Sequence, residues 1–210
     1  MPADSPQTYA DPRPIVAFDF DGTLTTADSF TAFLQWRVSR PRHLRGLLWL
    51  LPAAALYLRD RDRGRLKAAA VREFLRGTPR SVIAREAEVF ARAESARMFR
   101  PDALETWRRW GAQGALRVIV TASPEITVAP FAHILGADRL IGTRLAFDGE
   151  DRVLGHFEGE NCRGPEKVRR LREAFGDGLR LAAAYGDTSG DREMLQIAEE
   201  RGYRVFRQMP

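Results

Sequence analysis

The stretch Phe18–Phe30 reads FDFDGTLTTADSF. It follows directly on an apolar run, Ile15-Val16-Ala17-Phe18, which has the length and β-branched character of a fully buried strand. Two carboxylates, Asp19 and Asp21, therefore stand at the end of that strand with Phe20 between them. An unpaired charge at such a place is costly, so the pair calls for a cationic partner. Side chains alternate along an extended chain, which predicts Phe20 on the side away from both aspartates. Gly22 permits a turn and the close approach of a ligand.

Two further apolar runs end in polar residues. Leu116–Val120 runs into Thr121-Ala122-Ser123, and Leu181–Tyr185 runs into GDTSGD, residues 186–191. Helical patterns lie between them: Pro101–Gln113, ended near Gly114, then a helix opened by Pro124 with Ser123 as its cap, then Pro165–Phe175. Leu140–Phe147 and Val153–Phe157 read as strand pieces around an Asp148-Gly149 turn. A helix over Asp191–Glu200 and a last strand over Tyr203–Arg207 are expected at the end. Alternating strands and helices predict an α/β fold, a doubly wound, Rossmann-like and mostly parallel sheet. From Asp28 to Ala96 the pattern is helical throughout, with Pro41 and Pro79 at first turns and Thr78 as a cap. That block reads as a helical insertion after the first strand. The expected layout is a tail over 1–13, an α/β core over 14–27 and 97–210, and the insertion over 28–96, which the family resemblance given below makes a catalytic core and its helical cap. Ligands of open parallel sheets bind at the carboxyl ends of the strands. The three polar clusters are therefore expected to converge.

The 210 residues suffice for one domain with an insertion, and 44% are hydrophobic, enough for a real core. The single cysteine, Cys162, allows no internal disulfide, which fits a reducing compartment; a small buried residue is its expected role. The N-terminus MPADSPQTYADPRP lacks the apolar segment of a secretory signal and holds four prolines. The net charge is +5, and of 33 basic residues only Lys67 and Lys167 are lysines. The basic balance points to anionic partners. The three histidines are scattered without metal-ligand spacing, and no serine–histidine pattern or zinc knuckle is present.

DFDGTLT at residues 19–25, a threonine ending the second strand, a later lysine and GDTSGD together resemble the haloacid dehalogenase superfamily, phosphatase type. The likeness runs from about Ile15 to Phe206, and the helical insertion resembles the phosphoserine-phosphatase-like subclass. It implies a phosphomonoester hydrolase working through an aspartyl-phosphate. Asp19 would be the nucleophile and Asp21 the general acid and base. Gly22, Thr121, Ala122 and Lys167 would bind the phosphoryl group, the lysine from the first turn of its helix. The implied cofactor is Mg²⁺, held by Asp19, the Asp21 carbonyl and Asp187, with Asp191 holding a metal-bound water or orienting the loop. Asp21 sets the chain apart from transport ATPases, which carry threonine there, and from dehalogenases, which lack the acid. Phosphomutases share it and remain a rival.

In this superfamily the insertion selects the substrate. Asp28 matches a carboxylate that contacts the substrate amine in phosphoserine phosphatases, and it equally suits a helix N-cap. Thr-Ala-Ser at 121–123 departs from the Ser-Gly-Gly usual in those enzymes. Gly46–Leu58 is uncharged, and its thirteen residues fall short of the roughly 20 needed to span a bilayer. Around it, Arg37–Arg65 holds eight arginines against two aspartates. Both a cap core with solvated ends and contact with an anionic lipid surface fit this pattern. The resemblance also extends to lipid-phosphate members such as phosphatidylglycerophosphatase C. The expectation is a small-molecule or lipid phosphomonoester as substrate, a cytoplasmic protein, and peripheral contact with the inner face of an anionic membrane. The alternatives are phosphoserine or another small metabolite phosphate, or a catalytically silent anion or membrane binder. No recognition motif makes nucleic acid an expected partner.

Overall fold

The computed structural model describes residues 13–39, 41–42, 44–51 and 63–210. The expected N-terminal tail, apart from its last residue, and the second half of Gly46–Leu58 lie outside the described residues.

Strand β1, Ile15–Phe18, is buried on both faces because parallel neighbours flank it. On one side lies β2 (Leu116–Pro124), with Phe18 opposite Ile119; on the other lies β5 (Leu181–Gly186), with Phe18 opposite Tyr185. With β3 (Arg139–Phe147), β4 (Val153–Glu158) and β6 (Ala198–Tyr203), the six-stranded sheet has the order β4-β3-β2-β1-β5-β6. Strand β3 is parallel to β2, and β4 returns antiparallel to it. Alternation along β1 divides the core in two. Val16 and Phe18 face α1 (Ser29–Arg37), α3 (Arg80–Met98), α4 (Pro101–Ala112) and α5 (Glu125–Leu135) through Phe33, Phe90, Trp107 and Phe131. Ile15 and Ala17 face α6 (Pro165–Phe175) and α7 (Arg192–Gln196) through Leu171, Phe175, Met194 and Leu195.

The helical insertion leaves and rejoins the sheet through a narrow neck. Thr25 and Phe99 form an antiparallel bridge, and Thr26 N donates to Met98 O at 2.8 Å. Helix α2 (Arg63–Phe74) lies in this insertion and packs against β4. A helical stretch over residues 44–51 rests on Phe74 through Gly46, where a Cβ would meet the ring at 2.3 Å.

Four sequence readings need correction. The helix expected over Asp191–Glu200 is only Arg192–Gln196, and the strand expected at Tyr203–Arg207 is β6, Ala198–Tyr203. The run Ala-Glu-Glu-Arg reads as helix surface, but an edge strand also leaves its side chains in solvent while its backbone pairs with β5. Ser123 does not cap α5: β2 stays extended to Pro124, and the serine hydroxyl turns to Asp21. Thr78 does not cap α3 either; its hydroxyl accepts from Arg37 at 3.4 Å.

Candidate active site

The three polar strand ends meet at one edge of the sheet. Asp19 N still donates to Tyr185 O at 2.8 Å, so the first aspartate sits on the last rung of the β1–β5 ladder. The chain then turns at Gly22, whose φ of +87° favours glycine. A Cβ there would lie 2.4 Å from Asp187 Oδ2, so the glycine also lets the acidic loop close in. Phe20 points away as expected. It is fully buried edge-on to Phe131, with ring centroids 5.5 Å apart, and anchors the backbone between the two acids.

Lys167 stands in the first turn of α6 and is 1% exposed. Its ammonium donates to Asp19 Oδ1 at 2.6 Å, Asp191 Oδ1 at 2.7 Å and Val120 O at 2.6 Å. Burial pushes its pKa down, but the two carboxylates outweigh burial and hold it above the ordinary lysine value. Burial likewise pushes Asp19 up, to about 7, with the charge of Asp191 adding and Lys167 opposing. Burial and Asp191 also raise Asp187. For Asp191 burial is outweighed by Lys167 and by Thr188, and its carboxyl falls below the usual range.

Oxygens of Asp19, Asp187 and Asp191 lie within 4.8 Å of one another. The set is hard, anionic and all-oxygen, and the five carboxylates in the site, Asp28 included, outnumber the ammonium groups of Lys67 and Lys167 and the guanidinium groups of Arg163, which lines the cavity, and Arg204, which lies beside Asp187. A cation such as Mg²⁺ fits that donor set and that charge deficit. The three acids are not equivalent. Asp191 Oδ2 accepts from Asp187 N, Thr188 N and Thr188 Oγ1 at 2.9–3.2 Å, and Oδ1 takes Lys167, so Asp191 organises the loop. Among the described residues Asp19 Oδ2 and Asp187 Oδ1 each meet the Thr23 hydroxyl at 3.4 Å, and they are the freer oxygens.

Thr121 is fully buried, and its hydroxyl accepts from Ser123 N at 3.0 Å, which leaves its own hydrogen to donate. Ala122 lines the cavity, and its carbonyl accepts from Thr143. Asp21 is held on both oxygens: Oδ1 accepts from Ser29 N at 2.7 Å, and Oδ2 accepts from the Ser123 hydroxyl. Asp28 caps α1, with Oδ1 accepting from Thr31 N at 2.8 Å, while Oδ2 lies 3.3 Å from Lys67. Burial would raise Asp28, but Lys67 and Thr31 outweigh it and hold the carboxyl low. The cap reading and the cavity reading of Asp28 thus hold together, one oxygen for each.

Lys67 reaches this cavity from α2, and Arg163 and Asn161 line it as well. Sequence reasoning placed none of the three in the site. Lysine scarcity was the available signal: both lysines of this arginine-rich chain meet here. The cavity measures about 50 Å³. A groove of about 490 Å³ over β3 and α6 is larger, but its Arg169 and Arg170 are paired with Glu166 and Glu173.

A doubly wound sheet carrying this acidic constellation at its strand ends, under a helical insertion, defines a class. The chain belongs to the haloacid dehalogenase-like hydrolase family, whose model matches residues 16–196. It is 59% identical over 196 residues to Protein CicA of Caulobacter vibrioides, an alignment covering 93% of this chain and 88% of that one. A Bordetella pertussis protein of unknown function has a similar structure, with TM-score 0.68, 26% identity and coverage of 88% and 86% of the two chains. A phosphoserine phosphatase solved as a phospho-aspartyl intermediate analogue shares the fold, with TM-score 0.58, 18% identity and coverage of 93% and 90%.

Proposed function

We propose that this chain is a Mg²⁺-dependent phosphomonoester hydrolase that works through an aspartyl-phosphate on Asp19. The observation that carries the reading is the meeting of Asp19, Asp21, Lys167 and the Asp187–Asp191 loop at the carboxyl edge of the sheet. Asp19 forms a bond to phosphorus as the ester P–O bond breaks, and the leaving oxygen takes a proton from Asp21. Water then attacks the acyl phosphate and gives its proton to Asp21, releasing phosphate and restoring Asp19. Lys167 and the Thr121 hydroxyl stabilise the charge on the phosphoryl oxygens. Asp19, the Asp21 carbonyl and Asp187 would hold Mg²⁺, with Asp191 bracing the loop. The cation, when bound, neutralises charge on the carboxylates and the phosphoryl group. The phosphoserine phosphatase of shared fold, solved as a phospho-aspartyl analogue, supports the same route.

The substrate reading favours an amphiphilic or lipid phosphate over phosphoserine. A substrate amine would have to displace Lys67 from Asp28, because that carboxylate already has its ammonium. On the insertion, Leu44, Leu47, Leu48 and Leu51 follow helical spacing along one face and are 44–66% exposed, with Trp49 at 77%. Such a face among arginines suits peripheral contact with an anionic membrane. No helix among the described residues is long and apolar enough to cross one.

The test is phosphate release from a panel of lysophosphatidic acid, alkyl phosphates and phosphoserine, with Mg²⁺ or with EDTA. Mg²⁺-dependent release, lost in Asp19→Asn, is expected, with the amphiphilic esters fastest. Release unaffected by Asp19→Asn would overturn the nucleophile. Equal rates on phosphoserine would overturn the substrate class. Sedimentation with phosphatidylglycerol vesicles, weakened by Leu48→Glu and absent with phosphatidylcholine, is the expected membrane result; no sedimentation would refute it.

A further inference from the structure

Lys67 belongs to the insertion, not to the sheet, yet its ammonium sits among groups of the catalytic edge. It is one of only two lysines in the chain. Its Nζ donates to Ser123 Oγ at 2.9 Å, lies 3.3 Å from Asp28 Oδ2 and lies 3.8 Å from Asp21 Oδ2. Its side chain is 16% exposed. An ammonium has donors and no acceptor. Ser123 Oγ must therefore accept from Lys67, and its single hydrogen is directed onward to Asp21 Oδ2. Ser29 N, at the start of the insertion, holds the other oxygen of the same carboxylate at 2.7 Å.

We infer that Lys67 is a positioning residue: through Ser123 it orients the carboxyl group of Asp21 toward the ester oxygen, so that the proton donor is assembled only with the insertion seated over the site. The inference rests on the proposed hydrolase reading and adds a residue and a role to it. Ser29 holds Asp21 directly from the first turn of α1, and Lys67 holds Ser123 from α2, so both contacts arise at the insertion. The small cavity beneath them is lined by Lys67 and Asp28 of the insertion as well as by the sheet edge. Lifting of the insertion to admit substrate would withdraw Lys67 from Ser123. Reseating restores the chain Lys67–Ser123–Asp21. Proton delivery is thereby tied to closure, and an open site with water in it lacks an aligned acid.

A leaving-group comparison separates this role from substrate binding and from simple structural support. Phenyl phosphate and p-nitrophenyl phosphate have nearly the same shape and phosphoryl group, but only phenolate needs protonation to leave readily. The constant kcat/KM reports steps up to formation of the aspartyl-phosphate, so later hydrolysis does not enter. With Mg²⁺ present, Lys67→Met is expected to lower kcat/KM on phenyl phosphate by about 10- to 100-fold, part of what general acid catalysis supplies. On p-nitrophenyl phosphate the expected loss is below about threefold. Lys67→Arg, which keeps a donor, should recover much of the phenyl phosphate rate. Ser123→Ala should reproduce the selective loss, and the double variant should lose little more than either single one. Thermal melting of each variant checks the fold, and Ser123→Ala serves should Lys67→Met not fold. Equal losses on the two esters, or additive losses in the double variant, overturn the inference while wild-type turnover leaves the hydrolase reading standing. No wild-type turnover of either ester, with Asp19→Asn as control, overturns both.

Discussion

Replacing Asp19 by asparagine sets the two demands on that carboxylate against each other. The group is buried, and burial with neighbouring Asp191 raises it from the ordinary 3.8 to about 7 although Lys167 donates to it. A carboxyl raised by folding supports the fold while protonated, below about pH 4, and that support is lost as pH rises through 7. A shift of about three units corresponds to a ceiling of about 4 kcal/mol at pH 8, at 1.36 kcal/mol per unit. Asparagine never ionises and escapes this cost, while its carbonyl can still accept from Lys167. In EDTA at pH 8, Asp19→Asn is therefore expected to be more stable than the parent by about 1–4 kcal/mol, a rise in Tm of several degrees. At pH 4.5 the advantage should shrink to about zero, because the parent carboxyl is then protonated. Adding Mg²⁺ at pH 8 should raise the Tm of the parent and leave Asp19→Asn nearly unmoved. Turnover of any phosphoester should fall by at least about a thousandfold, since the amide is a poor nucleophile. The assay is thermal melting across pH 4.5–8 with and without Mg²⁺, paired with phosphate release. A variant less stable than the parent at pH 8 in EDTA, by the same margin as at pH 4.5, would refute the reasoning.

Lys167→Met should destabilise the fold by about 3–5 kcal/mol in urea unfolding, because Asp19 and Asp191 are left buried without their cation; a loss below 1 kcal/mol would contradict the pairing. Gly22→Ala places a Cβ 2.4 Å from Asp187 Oδ2 at a backbone angle that disfavours side chains. A cost of about 2 kcal/mol and weaker Mg²⁺ binding by titration calorimetry are expected. The Tyr185 hydroxyl accepts from Trp110 and donates to Glu200, and burial followed by the Glu200 bond pushes it up to about 12. Stability should then hold up to pH 10, the unfolded value, and fall by up to about 2 kcal/mol as pH rises towards 12. Tyr185→Phe should flatten that alkaline limb in pH-resolved melts, and an unchanged limb would reject the assignment.

The apolar runs and their polar ends made the sheet legible before any coordinates. Ile15–Phe18, Leu116–Val120 and Leu181–Tyr185 are buried on both faces, so composition alone marks them as central parallel strands. The edge was not legible. The Ala-Glu-Glu-Arg run of β6 has solvent on its side chains, and only its backbone pairing with β5 distinguishes it from a helix surface. Ser123 misled for a related reason: a serine before a proline and a helical pattern is a good cap locally, and only a partner 102 residues away in sequence claims its hydroxyl.

By itself the sequence determined the central strands and the acids Asp19, Asp21, Asp187 and Asp191 at their ends as candidates for one site, because buried strand ends tolerate such residues only where a ligand or cation meets them. Tertiary structure alone decided how those acids divide. Lys167 and Thr188 saturate Asp191 and leave Asp19 and Asp187 freer, a matter of which donor reaches which oxygen. It alone brought Lys67 from the insertion to Ser123. Hydrogen bonds and ion pairs across long loops have no periodicity for a sequence to display; their range is a few ångströms in space and nothing along the chain. The two aspartates at the end of β1 were visible from the first, but what holds each in place was visible only once the chain had closed on itself.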